Sequence, residues 1–210
     1  MVMLDYGSKR AFDILFSLVT LITFSPLFVL LGIFIKINSP GPAFYRSWRV
    51  GMGGRLIGCW KFRTMVEDAE DQLQELTQTK EWRLYQKVQE DPRVTPIGRF
   101  LRRTSLDELP QFWNVLLGDL SIVGPRAPTI VGPKEMALQE LRNLYGPRME
   151  VILSVRPGIT GVWQVSGRSQ ISFAQRCRLD WDYVITRTFW RDLVVIAKTI
   201  PVVLFSKGAC

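Results

Sequence analysis

Residues Ile14–Ile35 read ILFSLVTLITFSPLFVLLGIFI, 22 positions without one charged side chain. At ~1.5 Å per residue, a helix of that length covers a ~30 Å hydrocarbon layer. A straight transmembrane helix is the simplest reading, and Pro26 argues against it. Placed mid-segment, proline removes the hydrogen bond to the Ile22 carbonyl and clashes with that turn. Ser25 and Thr23 can satisfy the carbonyls set free, which makes a bend tolerable in lipid. Both flanks are basic: Lys9 and Arg10 precede the run, and Lys36, Arg46, Arg49 and Arg55 follow it. The positive-inside rule therefore gives no orientation. Basic residues at both ends are what a helix-break-helix hairpin shows when it enters and leaves by one face. From the pattern alone, hairpin and span stand even. A secretory signal peptide fits less well, because the run is too long and KINSPGPAF offers no convincing cleavage site.

Outward from this segment, Asn38–Pro42 (NSPGP) ends the apolar element. AFYRSWRV and RLIGCWKF then flank Gly51-Met52-Gly53-Gly54, and aromatic-rich runs on either side of a glycine turn predict a β-hairpin. Glu67–Glu90 is rich in Glu and Gln and predicts a solvated helix or lid. In PIGRFLRRTS, Arg99, Arg102 and Arg103 fall at i, i+3 and i+4, which puts them on one helical face as a candidate phosphate clamp. Two proline-glycine turns carry Arg126 and Arg156, and WQVSGR ends at Arg168. Rigid turns that each present an arginine suit phosphate oxygens. The C-terminal run Asp192–Phe205 is apolar but too short to span, and is either a core helix or an interfacial one.

The 210 residues suffice for one domain with a real core. Net charge is +8, which favours anionic partners. The apolar segment shifts that preference from nucleic acid to lipid headgroups and phosphates. Cys59, Cys177 and Cys210 are odd in number and far apart, so they signal neither a disulfide framework nor a zinc site. Histidine is absent, which removes Ser-His and Cys-His nucleophile systems and histidine metal sites. Chemistry must then run on carboxylates, basic side chains and a hard, oxygen-liking metal such as magnesium.

The carboxylates that stand out are Asp107 and Glu108, in RRTSLDELPQ. A bland reading is a capping box, with Ser105 as N-cap and Glu108 at N3. Pro110 permits an alternative, a helix starting near Leu109 with the proline in its first position. Either way both acids sit near a helix N-terminus, where anions are favoured. Neighbouring helical residues point apart. One carboxylate can then attack phosphorus while the other holds a metal.

The chain resembles the bacterial sugar transferases known as monotopic phosphoglycosyl transferases, over nearly its whole length. The resemblance rests on KRAFDI leading into the Ser-Pro-broken helix, KFRTM at Lys61–Met65, Asp91–Arg126, and RPGITGVWQVSGR at Arg156–Arg168. It implies transfer of a sugar-1-phosphate from a UDP-sugar to undecaprenyl phosphate with release of UMP, opening polysaccharide or glycoconjugate assembly. Asp107 falls on the family's nucleophile, and Glu108 would help it hold Mg2+. Lys61, Arg63, Arg102, Arg126, Arg156, Arg168 and Asp180 would form the substrate-binding set. The membrane element it implies is a re-entrant helix broken at Ser25 and Pro26, which decides for the hairpin.

The expected protein is therefore α+β, mostly helical, with residues 1–38 as the re-entrant anchor. Residues 39–210 would form a cytoplasmic catalytic domain with an interfacial C-terminal helix, set on the cytoplasmic face of a bacterial inner membrane among its lipids. A homodimer stays open. GPRAP departs from the usual GPRP by Ala127, and KGAC resembles the GAY ending of the hexose-1-phosphate branch, with Cys210 for tyrosine. The sugar expected is galactose or glucose. Larger relatives carry additional N-terminal parts, and this chain reads as a short form.

Overall fold

The computed structural model describes residues 4–67, 69, 91–129, 134–167 and 171–204. Most of the Glu67–Glu90 stretch, Arg168 and the KGAC ending lie outside the described residues. The elements in chain order are α1 (Leu4–Thr23), α2 (Ser25–Asn38), β1 (Phe44–Val50), β2 (Leu56–Phe62), α3 (Pro96–Thr104), α4 (Gln111–Leu117) and β3 (Ser121–Val123). They continue with α5 (Lys134–Tyr145), α6 (Arg148–Leu153), β4 (Gly158–Thr160), α7 (Val162–Val165), α8 (Phe173–Thr186) and α9 (Phe189–Leu204). The described chain is mostly helical, as expected.

The apolar segment is broken where the sequence predicts. Helices α1 and α2 meet at a 60° bend, and among the described residues no single helix is long and apolar enough to cross a membrane. Pro26 cannot donate to the Ile22 carbonyl, and the Ser25 hydroxyl donates to it instead at 2.8 Å. Ile14, Leu15, Leu18, Val19 and Ile22 on α1 are exposed, as are Val29, Leu30, Ile33, Phe34 and Ile37 on α2. A soluble monomer rarely leaves so continuous an apolar run uncovered.

The first half of α1 is stitched into the rest of the fold. Lys9 pairs with Asp192 of α9 and donates to the Val123 carbonyl. Arg10 donates to the carbonyls of Val115 and Leu116 at 2.7 and 3.0 Å, in the last turn of α4. Asp13, buried, accepts from the Ser121 hydroxyl at 2.7 Å. Helix α2 is anchored differently: Leu31 and Ile35 pack with Ala43, Phe62 and Leu101, under the hairpin and α3. Burying side chains of this size contributes about 1.5–3 kcal/mol each.

The predicted hairpin is present. Strands β1 and β2 pair antiparallel from Phe44↔Phe62 to Val50↔Leu56. The alternation of a strand puts Tyr45, Ser47 and Arg49 on one face and Phe44, Arg46 and Trp48 on the other. Arg46 lies over Trp60 and Trp48, 4.8 and 5.7 Å from their ring centroids. The two arginine-bearing turns prove to be neighbours, because the residues beside them form a parallel pair, β3 with β4. Gly124 and Gly158 allow it: a Cβ on Gly158 would lie 2.1 Å from the Gly124 nitrogen. The main core joins this pair to the hairpin, α4, α8 and α9 through Ile57, Val115, Leu120, Val123, Tyr183 and Val195.

The C-terminal run forms a helix with one buried face. Val195 and Asp192 of α9 are buried, and Thr199 is bonded to Thr160 of β4 at 2.8 Å. Trp190, Val194 and Ile200 on the same helix are exposed.

Helix α3 presses its Gly98 against the segment after β2, where a Cβ would fall 2.0 Å from the Thr64 carbonyl oxygen. Gly98→Ala is expected to destabilise the fold by more than about 2 kcal/mol. A thermal melt of the detergent-solubilised variant checks this; a melting temperature equal to that of the unsubstituted chain would contradict it.

Candidate active site

Thr95 starts α3 by accepting from the Gly98 N–H at 3.0 Å, with Pro96 in the first turn. The helix stops at Ser105, which adopts φ 58°. Among the described residues it is the one non-glycine in the left-handed region, a conformation that costs about 1–2 kcal/mol. This turn reverses the chain into a 3-10 turn, Leu106–Glu108, that carries both acids. The capping box does not form: Ser105 closes the helix before it, and its side chain does not cap the turn after it. Helix α4 begins one residue beyond Pro110.

Asn114 of α4 locks this turn against the hairpin. Its amide donates to the Gly58 carbonyl at 2.9 Å and accepts from the Trp60 N–H at 2.8 Å, so it takes the place of a neighbouring strand along β2. The next residue of β2, Lys61, then faces the acids. Its ammonium lies 2.6 Å from Glu108 Oε1 and 3.7 Å from Asp107 Oδ2. Arg126 reaches the same Glu108 oxygen at 3.2 Å.

The two carboxylates are pushed apart electrostatically. Burial raises Asp107, and neighbouring Glu108 raises it further, against the pull of Lys61, Arg102 and Arg126. Burial would raise Glu108 as well, but Lys61, Arg126 and Arg49 together hold it well below the usual carboxylate range. One acid is thus a fixed anion bound by cations. The other is only 7 % exposed and less well compensated.

Of the residues singled out in the sequence, the fold gathers Lys61, Arg102 and Arg126 around Asp107 and Glu108. The three arginines of α3 do not act as one face. Arg99 and Arg103 are exposed, whereas Arg102 is partly buried and donates to the Thr64 hydroxyl at 2.9 Å. Arg63 is buried, with its guanidinium donating to the carbonyls of Ser39 and Pro40, where it holds the loop after α2. Arg156 donates to the Gly118 carbonyl at 2.9 Å, at the far end of α4. Asp180 is 1 % exposed, enclosed next to Arg176.

The fold also brings in residues that the sequence did not single out for this site. Arg49 is buried, donates to the Ala127 carbonyl at 2.8 Å, and lines a small cavity with Cys59, Glu108, Gln111 and Arg126. Burial, reinforced by Arg126, lowers Arg49 to about 10. Its signal was the strand alternation, which sets Arg49 on the face opposite Trp48. Trp163 and Arg176 join through Arg126, whose guanidinium lies 5.5 Å from the indole centroid. The spacing of Arg176 and Asp180, i and i+4 on α8, was the legible clue there.

The bacterial sugar transferase family matches residues 4–206. The chain belongs to that family. This sugar transferase is 42 % identical over 207 residues to the exopolysaccharide production protein ExoY of Sinorhizobium fredii, covering 96 % of this chain and 88 % of the relative. It is 42 % identical over 206 residues to the undecaprenyl-phosphate galactose phosphotransferase of Salmonella typhimurium, again across 96 % of this chain but 41 % of that protein. It is 39 % identical over 197 residues to the UDP-glucose:undecaprenyl-phosphate glucose-1-phosphate transferase of Escherichia coli, covering 91 % of this chain and 39 % of the relative. The sugar transferase thus spans most of the first relative and about two fifths of the other two.

Burial pushes Asp180 up to about 7, against the opposing pull of Arg176 and Arg126. A carboxyl raised by folding favours the fold while protonated. Its contribution is full below about pH 4 and is lost as pH rises towards 7. Asp180→Asn is therefore expected to stabilise the protein at pH 8, by on the order of a few kcal/mol, with the gain fading towards pH 4. Paired melts at the two pH values test this. A loss of stability at pH 8 would show that the ionised carboxylate is held by stronger contacts.

Proposed function

We propose that this chain transfers a sugar-1-phosphate from a UDP-sugar to undecaprenyl phosphate and releases UMP, with Asp107 as nucleophile. The observation that carries the reading is the asymmetric acid pair: a buried, poorly compensated Asp107 beside a Glu108 pinned by Lys61 and Arg126. The names of the Salmonella and Escherichia relatives support the reaction class.

An Asp107 oxygen attacks the sugar-bearing phosphorus. The bond from that phosphorus to the bridging oxygen breaks, and UMP leaves with the oxygen and the bond's electron pair. The sugar phosphate is then an acyl phosphate on Asp107. An oxygen of the lipid phosphate attacks the same phosphorus and frees the carboxylate, giving a lipid diphosphate sugar. The main obstacle is the approach of an anionic nucleophile to an anionic phosphate. A unit-charge pair at ~4 Å is worth about 4 kcal/mol at an effective dielectric of 20, or about three decades in rate. Lys61, Arg126, Arg102 and Arg49 place compensating charge there without reorganisation.

The donor set fits magnesium. Two adjacent carboxylates supply hard oxygens, and this ion commonly takes one or two carboxylates plus substrate phosphates. Asp107 and the Glu108 oxygen that is not engaged by Lys61 and Arg126 would hold it. Bound there, it would neutralise phosphate charge.

The setting is a membrane surface, entered and left by one face through the bend at Ser25 and Pro26. The uncovered apolar residues of α1 and α2, with Trp190, Val194 and Ile200 of α9 at the interface, support it. The cytoplasmic face of the inner membrane is where a UDP-sugar and a polyprenyl phosphate meet. Galactose or glucose is the sugar proposed, in exopolysaccharide or related glycan assembly, following the named relatives.

The test is nucleotide release from a panel of UDP-sugars with undecaprenyl phosphate and magnesium. Lipid-dependent UMP is expected, and Asp107→Asn should lower its rate by at least about three decades while the protein stays in the membrane fraction. UDP as the product, or full turnover by the variant, would sink the covalent mechanism.

A further inference from the structure

Several buried polar atoms without a hydrogen-bond partner of ordinary geometry gather around α8: Tyr145 Oη, Trp163 Nε1, Arg176 Nε and both oxygens of Asp180. Unsatisfied groups at this density are unusual in a folded interior. Here they accompany a chain of contacts that ends on the acid pair. Arg176 Nε stands 3.9 Å from Asp180 Oδ2, and the Arg176 guanidinium lies 4.7 Å from the centre of the Trp163 indole. Arg126 lies over the same indole and reaches Glu108 at 3.2 Å. Asp180 also lies close enough to Arg126 to feel its charge.

Charge explains why such a chain is needed. Arg49, Arg126 and Arg176 are close enough to repel one another, and both neighbours depress Arg49. Glu108 compensates this group on one side, and Asp180 on the other. We propose that Asp180 is a positioning residue: ionised, it holds Arg176 against Trp163, and so keeps the Arg126 guanidinium, stacked on the same indole, on Glu108. Neutralised, it leaves Arg126 and Arg176 to repel across one indole, and the turn carrying Arg126 relaxes away from the acids. Asp180 itself touches no substrate.

The groups that face Asp180 leave it as the titrating member of this set near neutrality. Arg176 and Cys177 come from its own helix, Tyr145 from α5, and Arg126 from the turn after β3. Helix α6 supplies Arg148, which reaches Cys177, and α7 contributes the non-titrating Trp163. Burial pushes Cys177 up to about 11 and Tyr145 up to about 12, so both stay neutral where Asp180, at about 7, changes charge.

The anchoring can be tested apart from the reaction, while its effect on turnover rests on the phosphoryl-transfer reading. The full chain would be labelled with 5-fluorotryptophan in detergent, and the Trp163 resonance assigned by Trp163→Phe. In the unsubstituted protein that resonance should move with a midpoint near pH 7, and in Asp180→Asn it should stay flat. A resonance that does not titrate in the unsubstituted protein overturns the anchoring. In the nucleotide-release assay, Asp180→Asn should lower kcat about tenfold with little change in KM, and should lose the acid limb near pH 7. Asp180→Glu should recover part of the rate. Unchanged kcat and an unchanged pH profile in Asp180→Asn would refute the positioning role. A titrating Trp163 in a protein that releases UDP, or no nucleotide, would support the anchoring and refute the reaction.

Discussion

The contact on which the site depends is the short ion pair between Lys61 and Glu108, shared with Arg126. Two adjacent carboxylates taken out of water repel each other and lose hydration, and a fold tolerates them only with compensating charge at hand. Lys61 supplies it from the hairpin and Arg126 from the turn after β3. The left-handed Ser105, the Asn114 amide along β2 and the glycine-tight pairing of β3 with β4 all bring those two cations to one carboxylate.

The arrangement separates roles between neighbours in sequence. Glu108 is so strongly bound by cations that it stays ionised and fixed. Asp107 carries the burden of burial with weaker compensation, which raises its pKa. Asp180 repeats the theme farther off. It too is a buried acid with incomplete partners, but it is enclosed, and its influence reaches the pair only through arginines and an indole. A fold that keeps such a group near neutrality accepts a cost in stability, as functional sites often do.

Much of this was legible in the sequence. The Ser25-Pro26 break, the rescue of the Ile22 carbonyl by a hydroxyl, the glycine-centred hairpin and the acid pair all follow from local rules about proline, glycine and apolar runs. What was not legible depends on which distant segments become neighbours. Arg126 and Arg156 sit in similar proline-glycine turns, but one points to Glu108 and the other to the end of α4. Arg63, Arg99, Arg102 and Arg103 are alike in type, but carbonyls of the loop after α2 claim the first and Thr64 claims the third. The capping box at Ser105 matched its pattern and still failed, because the end of α3 needed that residue in the left-handed region. Arginine-rich sequences mark that phosphate-sized charge exists; tertiary packing decides which guanidinium remains available.

The stitching of α1 has a consequence for how the chain is made. Asp13 bonds to Ser121, 108 residues later, and Lys9 pairs with Asp192, 183 residues later. At ~5–20 residues per second, the helix leaves the ribosome roughly 10–40 s before its last partner exists. Through that interval its polar anchors have nothing to hold, and the body of the protein cannot shelter its apolar half. Closing such distant contacts is slow, and an uncovered apolar helix invites aggregation. Early shelter for α1, in a bilayer or against a chaperone, is therefore a requirement of synthesis.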